Sequence, residues 1–231
     1  MSNTEIKVLS AAAVAPGMMK VIDAFQRETG HDVKITFATA PAILKRIGST
    51  EPLDAVVGPP AVLDEWVKAG KADPTHRVIV GRIGVGVMVR ESAPLPKIAT
   101  TNDFKQSLLS AQAVVYNQAS TGIYLEKLFD RLGIGEQVKA KTTRYPDAAA
   151  VLGHIRKGNP NEIGLGATTV ILEGESKGLK FVGPLPVEIQ NYTTYAATVI
   201  TDGAASATAR AFLDYMTTVT ARKIFARAGI E

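Results

Sequence analysis

The sequence predicts an α/β protein of two lobes, each with a mostly parallel sheet flanked by helices, joined by two hinge crossings. Short apolar strands alternate with helical segments through short loops, and this alternation implies parallel sheets with helices on their faces. Two long extended segments, residues 77–90 and 188–200, interrupt the alternation, and we interpret them as the crossings. The chain has 231 residues, 46% of them apolar, which is enough for two packed cores.

The first lobe opens with three strand–helix pairs. Pro16 suits the first turn of a helix, and Gly30 suits the position just after its end. Val33, Ile35 and Phe37 alternate as expected in a strand. The predicted strands are Ile6–Leu9, residues 31–40 and residues 53–60, and the predicted helices are Pro16–Thr29, Pro41–Gly48 and Leu63–Ala69.

The second lobe repeats the α/β pattern after the first crossing. Glycines at 81, 84 and 86 mark a bend or a close approach within that extended segment. Because the chain crosses twice, one lobe is discontinuous: residues 1–82 and 193–231 form lobe one, and residues 83–192 form the inserted lobe two. Later elements are predicted as helices at 102–110, after "ASTG", and at 148–157, 168–172, 204–217 and 220–228, and as strands at 113–116, 162–165 and 180–182.

Composition excludes several classes of function. The net charge is +4, but cationic and anionic residues are interleaved, so we expect no nucleic-acid partner. No apolar run approaches the ~18 residues of a membrane span, so we expect no direct membrane insertion. The absence of cysteine excludes disulfides and thiolate chemistry. We expect a monomer that binds a small anionic ligand.

Familiar catalytic and metal-binding motifs are missing. The sequence contains no G-x-S-x-G, Walker or H-E-x-x-H motif. Its three histidines, His31, His76 and His154, are too far apart in sequence to suggest a clustered ligand set. We therefore predict no metal and no cofactor, and assign no catalytic residue.

Four turns between a strand and a helix carry small or hydroxyl residues. Such turns let a ligand approach the backbone N–H groups and the partial positive charge at a helix N-terminus. Gly122 is interpreted as keeping one of these approaches open. The alternative is ordinary capping and tight packing. The candidate contacts are Ser10 and Ala11 in "LSAAAVAP", Thr39 and Ala40 in "FATAP", Ser120 and Thr121 in "ASTG", and Thr168 in "GLGATT".

Two arginines are further candidates because the guanidinium group matches the geometry of a carboxylate. Arg82 lies in the first crossing, and Arg144 precedes "YPDAAAVLGHI", where we expect a helix to begin. Both are preferred to Arg46, which lies on a predicted helix. The alternative for each is a solvated surface charge. Tyr192 and Tyr195 in the second crossing fit either the ligand site or the core.

Several stretches resemble the periplasmic molybdate-binding proteins of ABC importers. The resemblance runs through "IKVLSAAAVAPGMMKVIDAFQRETG", "DAVVGPPAVLDEWVKAG", "ASTGIYLEKLFDRLG" and "AFLDYMTTVTARKIFARAGIE", and so covers nearly the whole chain. It implies the two-lobed periplasmic-binding-protein fold, closure of the lobes on an oxyanion, and an importer membrane component as partner.

The chain departs from the pattern that this resemblance implies for the oxyanion site. Ala13 stands where the family has a serine, Thr39 and Ala40 stand near a second one, and "GLGATT" lacks a tyrosine expected nearby. The backbone N–H at Thr121 is retained. The chain therefore resembles a divergent branch, and we expect an organic carboxylate or another oxyanion rather than strictly molybdate.

Three functions remain open from the sequence. The preferred one is a solute-binding protein for ABC-type uptake. The second is an isomerase of a small tricarboxylic acid such as aconitate, to which a similar branch of the family points; Lys141, Glu162 or a tyrosine could then supply the base. The third is a cytoplasmic ligand sensor. The N-terminus has no signal-peptide pattern. We expect a periplasmic protein if a signal was removed, and a cytoplasmic one if the chain is the full gene product.

Overall fold

Residues 4–231 are described by the computed structural model. The chain divides into two units: unit 1 comprises the residues up to Ile83 together with Thr194–Glu231, and unit 2 comprises Gly84–Thr193. The first three residues of the predicted lobe one lie outside the described residues. Two strands, β4 and β9, carry the chain across the boundary between the units.

The α/β fold class predicted from the sequence is confirmed. The strands are β1 (Glu5–Ala11), β2 (Asp32–Ala38), β3 (Ala55–Gly58), β4 (Ala72–Arg90), β5 (Ala113–Asn117), β6 (Thr142–Tyr145), β7 (Glu162–Ala167), β8 (Leu179–Pro184) and β9 (Tyr192–Ile200). The helices are α1 (Ala15–Thr29), α2 (Ala40–Lys45), α3 (Pro60–Lys68), α4 (Thr101–Ser110), α5 (Ser120–Arg131), α6 (Gly135–Lys139), α7 (Ala148–Lys157), α8 (Thr168–Gly174), α9 (Ser206–Tyr215) and α10 (Val219–Arg227).

Parallel strands form the centre of unit 1. Strand β1 pairs in parallel with β2 on one side and with β3 on the other, and β3 pairs antiparallel with β9. The carboxyl ends of β1, β2 and β3 therefore lie at one edge of the sheet, which we call the carboxyl edge. The opposite edge, where β1 and β3 begin and antiparallel β9 ends, is the amino edge.

Helix α1 shows how the local sequence positions one layer of unit 1. Pro16 lies in its first turn, and Gly30 adopts the left-handed conformation that ends it, as the sequence predicts. Its buried face packs on the C-terminal helices. Phe25 lies edge-on to Phe212 at 5.1 Å and to Tyr215 at 5.4 Å between ring centroids. Full burial of one such side chain contributes about 1.5–3 kcal/mol.

Unit 2 contains a mixed sheet with helices on both faces. Strand β5 pairs in parallel with β6 and with β7, whereas β4 pairs antiparallel with β7 and β8. One face packs on α4, α5 and α6 through a core that includes Phe104, Leu125 and Phe129. The other face packs on α7 and α8 through a core that includes Ile155 and Ile171.

Two elements of unit 2 were not predicted from the sequence. Strand β6 has only four residues, "TTRY", and helix α6 has only five, "GEQVK". Neither is long enough to display a period, since helical and strand patterns need several repeats to be recognised. Arg144, which was expected at the entry to a helix, lies within β6 instead, whereas α7 begins at Ala148 as predicted.

Candidate functional site

The carboxyl edge of unit 1 gathers the starts of three helices. A short 3-10 helix, Ala12–Val14, follows β1 directly and leads into α1, while α2 and α3 each begin two residues after a strand ends. In none of these helices does the side chain of the N-cap residue accept a hydrogen bond from a first-turn N–H group. The first-turn N–H groups of α2 and α3 therefore have no acceptor on their own N-cap side chain.

Four predicted residues lie at this edge of unit 1. Ser10 is fully buried near the end of β1, and its hydroxyl donates to the carbonyl oxygen of Ala11 at 3.3 Å. Ala11, also buried, is the last residue of β1. Thr39 is the N-cap of α2, and Ala40 is its first residue; both are partly exposed. Thr39 and Ala40 are thus accessible, whereas the Ser10 hydroxyl is engaged within the protein.

The carboxyl edge of unit 2 has a similar construction. Strands β5, β6 and β7 are parallel, so their ends at Asn117, Tyr145 and Ala167 lie at one edge. Helices α5, α7 and α8 begin within three residues of these ends. Only α7 among the three has a side-chain cap, since Asp147 accepts from the N–H of Ala150 at 2.9 Å.

Two helices at this edge, α5 and α8, have no side-chain cap, and α5 is the longer of the two, with 12 residues. Ser120 and Thr121 are its first two residues and are partly exposed. Thr168, also partly exposed, is the first residue of α8 after the neighbouring strand β7. The structure therefore brings Ser120, Thr121 and Thr168 to one edge of unit 2. Their N–H and hydroxyl groups could donate to an anion without competing with a cap.

Gly122 is needed for packing at the start of α5. A Cβ at this position would overlap the carbonyl oxygen of Asn117 and would lie 2.9 Å from its carbonyl carbon and 3.2 Å from Cδ2 of Tyr116. The sequence interpretation, that this glycine keeps a path open for the ligand, is therefore replaced by a steric one. The helix begins directly against the end of β5, and only glycine allows that approach.

Arg82 lies on the part of β4 that belongs to unit 1. Its Nη2 lies 3.0 Å from Oε2 of Glu231, and both side chains are about half exposed, at 55% and 56%. Its backbone N–H and carbonyl also pair with Glu231, at 2.7 and 3.0 Å. In this structure the guanidinium group thus has a carboxylate partner at the end of the chain. Its role in ligand binding stays a prediction.

Arg144 points toward the face of the sheet that α5 covers. Its Nη1 lies 2.6 Å from Oε1 of Glu126, and its guanidinium carbon lies 5.7 Å from the centre of the Tyr116 ring. These partners line a cavity of about 520 Å³ beside α6. Because Glu126 lies in the second turn of α5, this contact is set back from the first residues of that helix. The ligand-binding role of Arg144 also stays a prediction.

The two named bases for an isomerase lie away from the helix starts of unit 2. The ammonium group of Lys141 donates to the carbonyl oxygens of Leu109 and Ala111, each at 2.6 Å, and burial lowers its pKa. Glu162 begins β7, at the opposite end of that strand from Thr168. Its buried carboxylate lies 3.1 Å from Nε2 of His154. Both groups are occupied by structural partners.

Two residues that shape this edge were missed by the sequence interpretation. Asn117 forms a side-chain turn in which its Oδ1 accepts from the N–H of Ala119 at 3.0 Å, and Asp147 caps α7. Both are residue types that favour these positions, and Asp147 directly precedes a run of alanines. That order of residues could have indicated the cap.

Within residues 4–231, no group of three or more His, Cys, Asp or Glu side chains is placed to hold a metal ion. Over the same residues, none of the helices combines the length and apolar character needed to cross a bilayer.

Comparison with known proteins identifies relatives along nearly the whole chain. The family described as "Bacterial extracellular solute-binding protein" matches residues 6–231. An aconitate isomerase from Pseudomonas sp is 30% identical over 236 residues, covering 99% of this chain and 88% of that protein. The molybdate-binding protein ModA of Escherichia coli (strain K12) is 25% identical, covering 97% of this chain and 88% of that protein.

Solved structures extend the comparison to the fold. The periplasmic molybdate-binding protein of Azotobacter vinelandii superposes with a TM-score of 0.83 at 17% identity, covering 98% of each chain. The fold is therefore that of the periplasmic binding proteins, as the sequence resemblance implies. The predicted similarity to the molybdate-binding proteins is likewise confirmed.

Proposed function

The chain belongs to the family of bacterial extracellular solute-binding proteins, and from this premise we propose that it binds a small oxyanion or organic carboxylate, rather than strictly molybdate, for uptake by an ABC-type importer. The observation that carries the proposal is the uncapped start of α5, where Ser120 and Thr121 follow a buried strand. The closure of two lobes on the ligand, predicted from the sequence, stays a prediction.

The physical basis of binding is replacement of the ligand's water by donors that are already oriented. The first-turn N–H groups of a helix point along its axis and carry a partial positive charge, equivalent to about half an elementary charge. In α5 these groups have no side-chain cap, and hydroxyls flank them at Ser120 and Thr121. An anion placed there needs no rearrangement of the backbone. Thr39 at the start of α2 offers the same combination in unit 1.

The ligand is proposed to differ from molybdate because of the hydroxyls that this chain lacks. Ala13 lies in the 3-10 helix after β1, at the position where the resemblance implies a serine. An alanine methyl group cannot donate to a tetrahedral oxyanion. Replacement of a donor by a methyl group leaves buried oxygens unpaired, at a cost of about 1–3 kcal/mol per group. A carboxylate with a carbon skeleton would contact such methyl groups favourably.

The proposal is tested by a thermal-unfolding screen against molybdate, tungstate, sulfate, and di- and tricarboxylates. A ligand at 100 times its Kd adds about 2.7 kcal/mol to the free energy of unfolding. For a chain of this size, each kcal/mol raises the unfolding midpoint by about 2–4 °C. We expect such a shift with at least one carboxylate. A strong shift with molybdate and tungstate but none with carboxylates would refute the proposed specificity.

The location of the site is tested by Thr121→Phe, with Thr101→Phe as the matched control. Both positions lie in the first turn of a helix of unit 2, but α4 is already capped by Thr100, whose hydroxyl accepts from the N–H of Asp103 at 3.0 Å. Thr121→Phe is expected to abolish the ligand-induced shift, and Thr101→Phe to preserve it. Unchanged binding by Thr121→Phe places the site elsewhere.

Aconitate isomerisation is the second candidate, because a relative that carries this activity in its name is 30% identical over nearly the whole chain. The reaction needs a base near the carbon that loses its proton. Lys141 and Glu162 are held by structural partners away from the starts of α5 and α8, which weighs against them as that base. Incubation with cis- and trans-aconitate, followed by product analysis, tests the candidate. No conversion above background excludes it.

A further inference from the structure

A cavity at the amino edge of unit 1 is lined by charged residues of both signs. It has a volume of about 330 Å³ and lies where β1 begins and β9 ends. Lys7 and Lys71 line it together with Glu5 and Asp202. Over residues 4–231, none of these four side chains takes part in an ion pair.

The other charged groups of the cavity already have partners. Arg46 pairs with Glu51 at 3.1 Å. Asp54, which is 5% exposed, accepts from the backbone N–H of Lys7 at 2.8 Å and from that of Ala205 at 2.9 Å. Asp54 thus joins β1 to the segment that follows β9 and shapes the wall of the cavity. The wall beside the unpaired charges is therefore fixed by these hydrogen bonds.

Trp66 supplies a second, independent observation. Its side chain lines the same cavity and is 3% exposed, yet its indole N–H has no hydrogen-bond partner among the described residues. A buried donor without an acceptor is destabilising. A ligand oxygen bound beside the indole, after a small adjustment of the cavity wall, would recover this energy.

We propose that this cavity binds a small zwitterion, a molecule of amino-acid size that carries one carboxylate and one ammonium group. The carboxylate is placed toward Lys7, Lys71 and the Trp66 indole, and the ammonium group toward Glu5 and Asp202. A volume near 330 Å³ is at the small end of ligand pockets, which span about 300–1,000 Å³. The four charges sum to zero, and a zwitterion, unlike an ion of single charge, adds no net charge to them.

Trp66 makes the proposal directly measurable because it is the only tryptophan in the chain. Its fluorescence is titrated with alanine and serine as zwitterionic probes, and with propionate and propylamine as the two separate half-ligands. We expect a saturable change with at least one amino acid, and binding at least about tenfold weaker for either half-ligand. No saturable response to either amino acid, or an equal response to a half-ligand, overturns the proposal.

Variants separate this cavity from the anion site. Lys71→Met and Asp202→Asn change exposed side chains that line the cavity, so folding is expected to be preserved; each should weaken the response about tenfold. Lys68→Met is the matched control on α3, because Lys68 pairs with Glu65 and does not line the cavity. Thr121→Phe should leave the response intact. Loss of the response in Thr121→Phe, or its retention in both cavity variants, refutes the assignment.

Discussion

Substitution of Gly122 by alanine tests whether α5 begins directly against the end of β5. The added Cβ would overlap the carbonyl oxygen of Asn117 and approach its carbonyl carbon to 2.9 Å. Ordinary contact requires at least about 3.4 Å, so the carbonyl carbon alone would require a movement of about 0.5 Å, and the closer overlap with the oxygen requires the first turn of α5 to move considerably farther from the strand. The obstacle is backbone, which cannot rotate aside as a side chain can.

The magnitude follows from two opposing terms. Overpacking a well-filled site costs about 1–3 kcal/mol, and a clash with backbone belongs at the upper end of that range. Alanine is better than glycine by at most about 1 kcal/mol within a helix. We therefore expect Gly122→Ala to lower the free energy of unfolding by about 2 kcal/mol, the upper cost less that gain. The unfolding midpoint should fall by about 4–8 °C.

Gly153→Ala is the matched control. Gly153 lies within α7 in the same unit, and a Cβ there would meet no atom within 4 Å. Only the difference in helix propensity remains, so Gly153→Ala should raise the free energy of unfolding by about 0.8–1 kcal/mol. Urea and thermal denaturation give the stability of both variants. An anion titration shows whether displacement of the first turn of α5 changes the affinity for the anion. If Gly122→Ala is as stable as the wild type or more stable, the steric interpretation is wrong.

Two further predictions concern unit 1. Hydrogen bonds from the hydroxyl and N–H of Thr75, and to a lesser extent from Arg210, hold the pKa of Asp73 well below its ordinary value. The resulting stabilisation of the folded state is present above the unfolded pKa of about 3.9 and is lost as the pH falls through the folded pKa. Asp73→Asn should therefore lower the urea midpoint at neutral pH and approach the wild type in strong acid, and a gap independent of pH contradicts this account. Gly81 has φ +153°, and a Cβ there would lie 2.5 Å from Cγ2 of Ile230 and 2.7 Å from the carbonyl oxygen of Glu231. Gly81→Ala should lower the free energy of unfolding, measured by urea denaturation, by about 1–3 kcal/mol. The control Gly48→Ala should leave it unchanged, because a Cβ there would meet no atom within 4 Å. Equal urea midpoints for the two variants exclude a steric role for Gly81.

Local patterns along the chain predicted much of the fold and part of the candidate site. The turns around Ser10, Thr39, Thr121 and Thr168 all lie where a strand ends and a helix begins, as the sequence indicates. Such turns are readable because capping and helix initiation depend on residues only a few positions apart. The short elements β6 and α6 were missed because "TTRY" and "GEQVK" contain too few residues to display a period.

By itself, the sequence determined the α/β alternation, the helix starts with small and hydroxyl residues, and the resemblance to solute-binding proteins. The tertiary structure decided which groups are already occupied. Arg82 forms an ion pair with Glu231, which is 149 residues away, and Arg144 on β6 forms one with Glu126 on α5. The tertiary structure also brings Lys7 and Asp202, which are far apart in the sequence, to one cavity. The partners of long charged side chains depend on strand order and register, and these follow from packing of the whole chain rather than from any local segment.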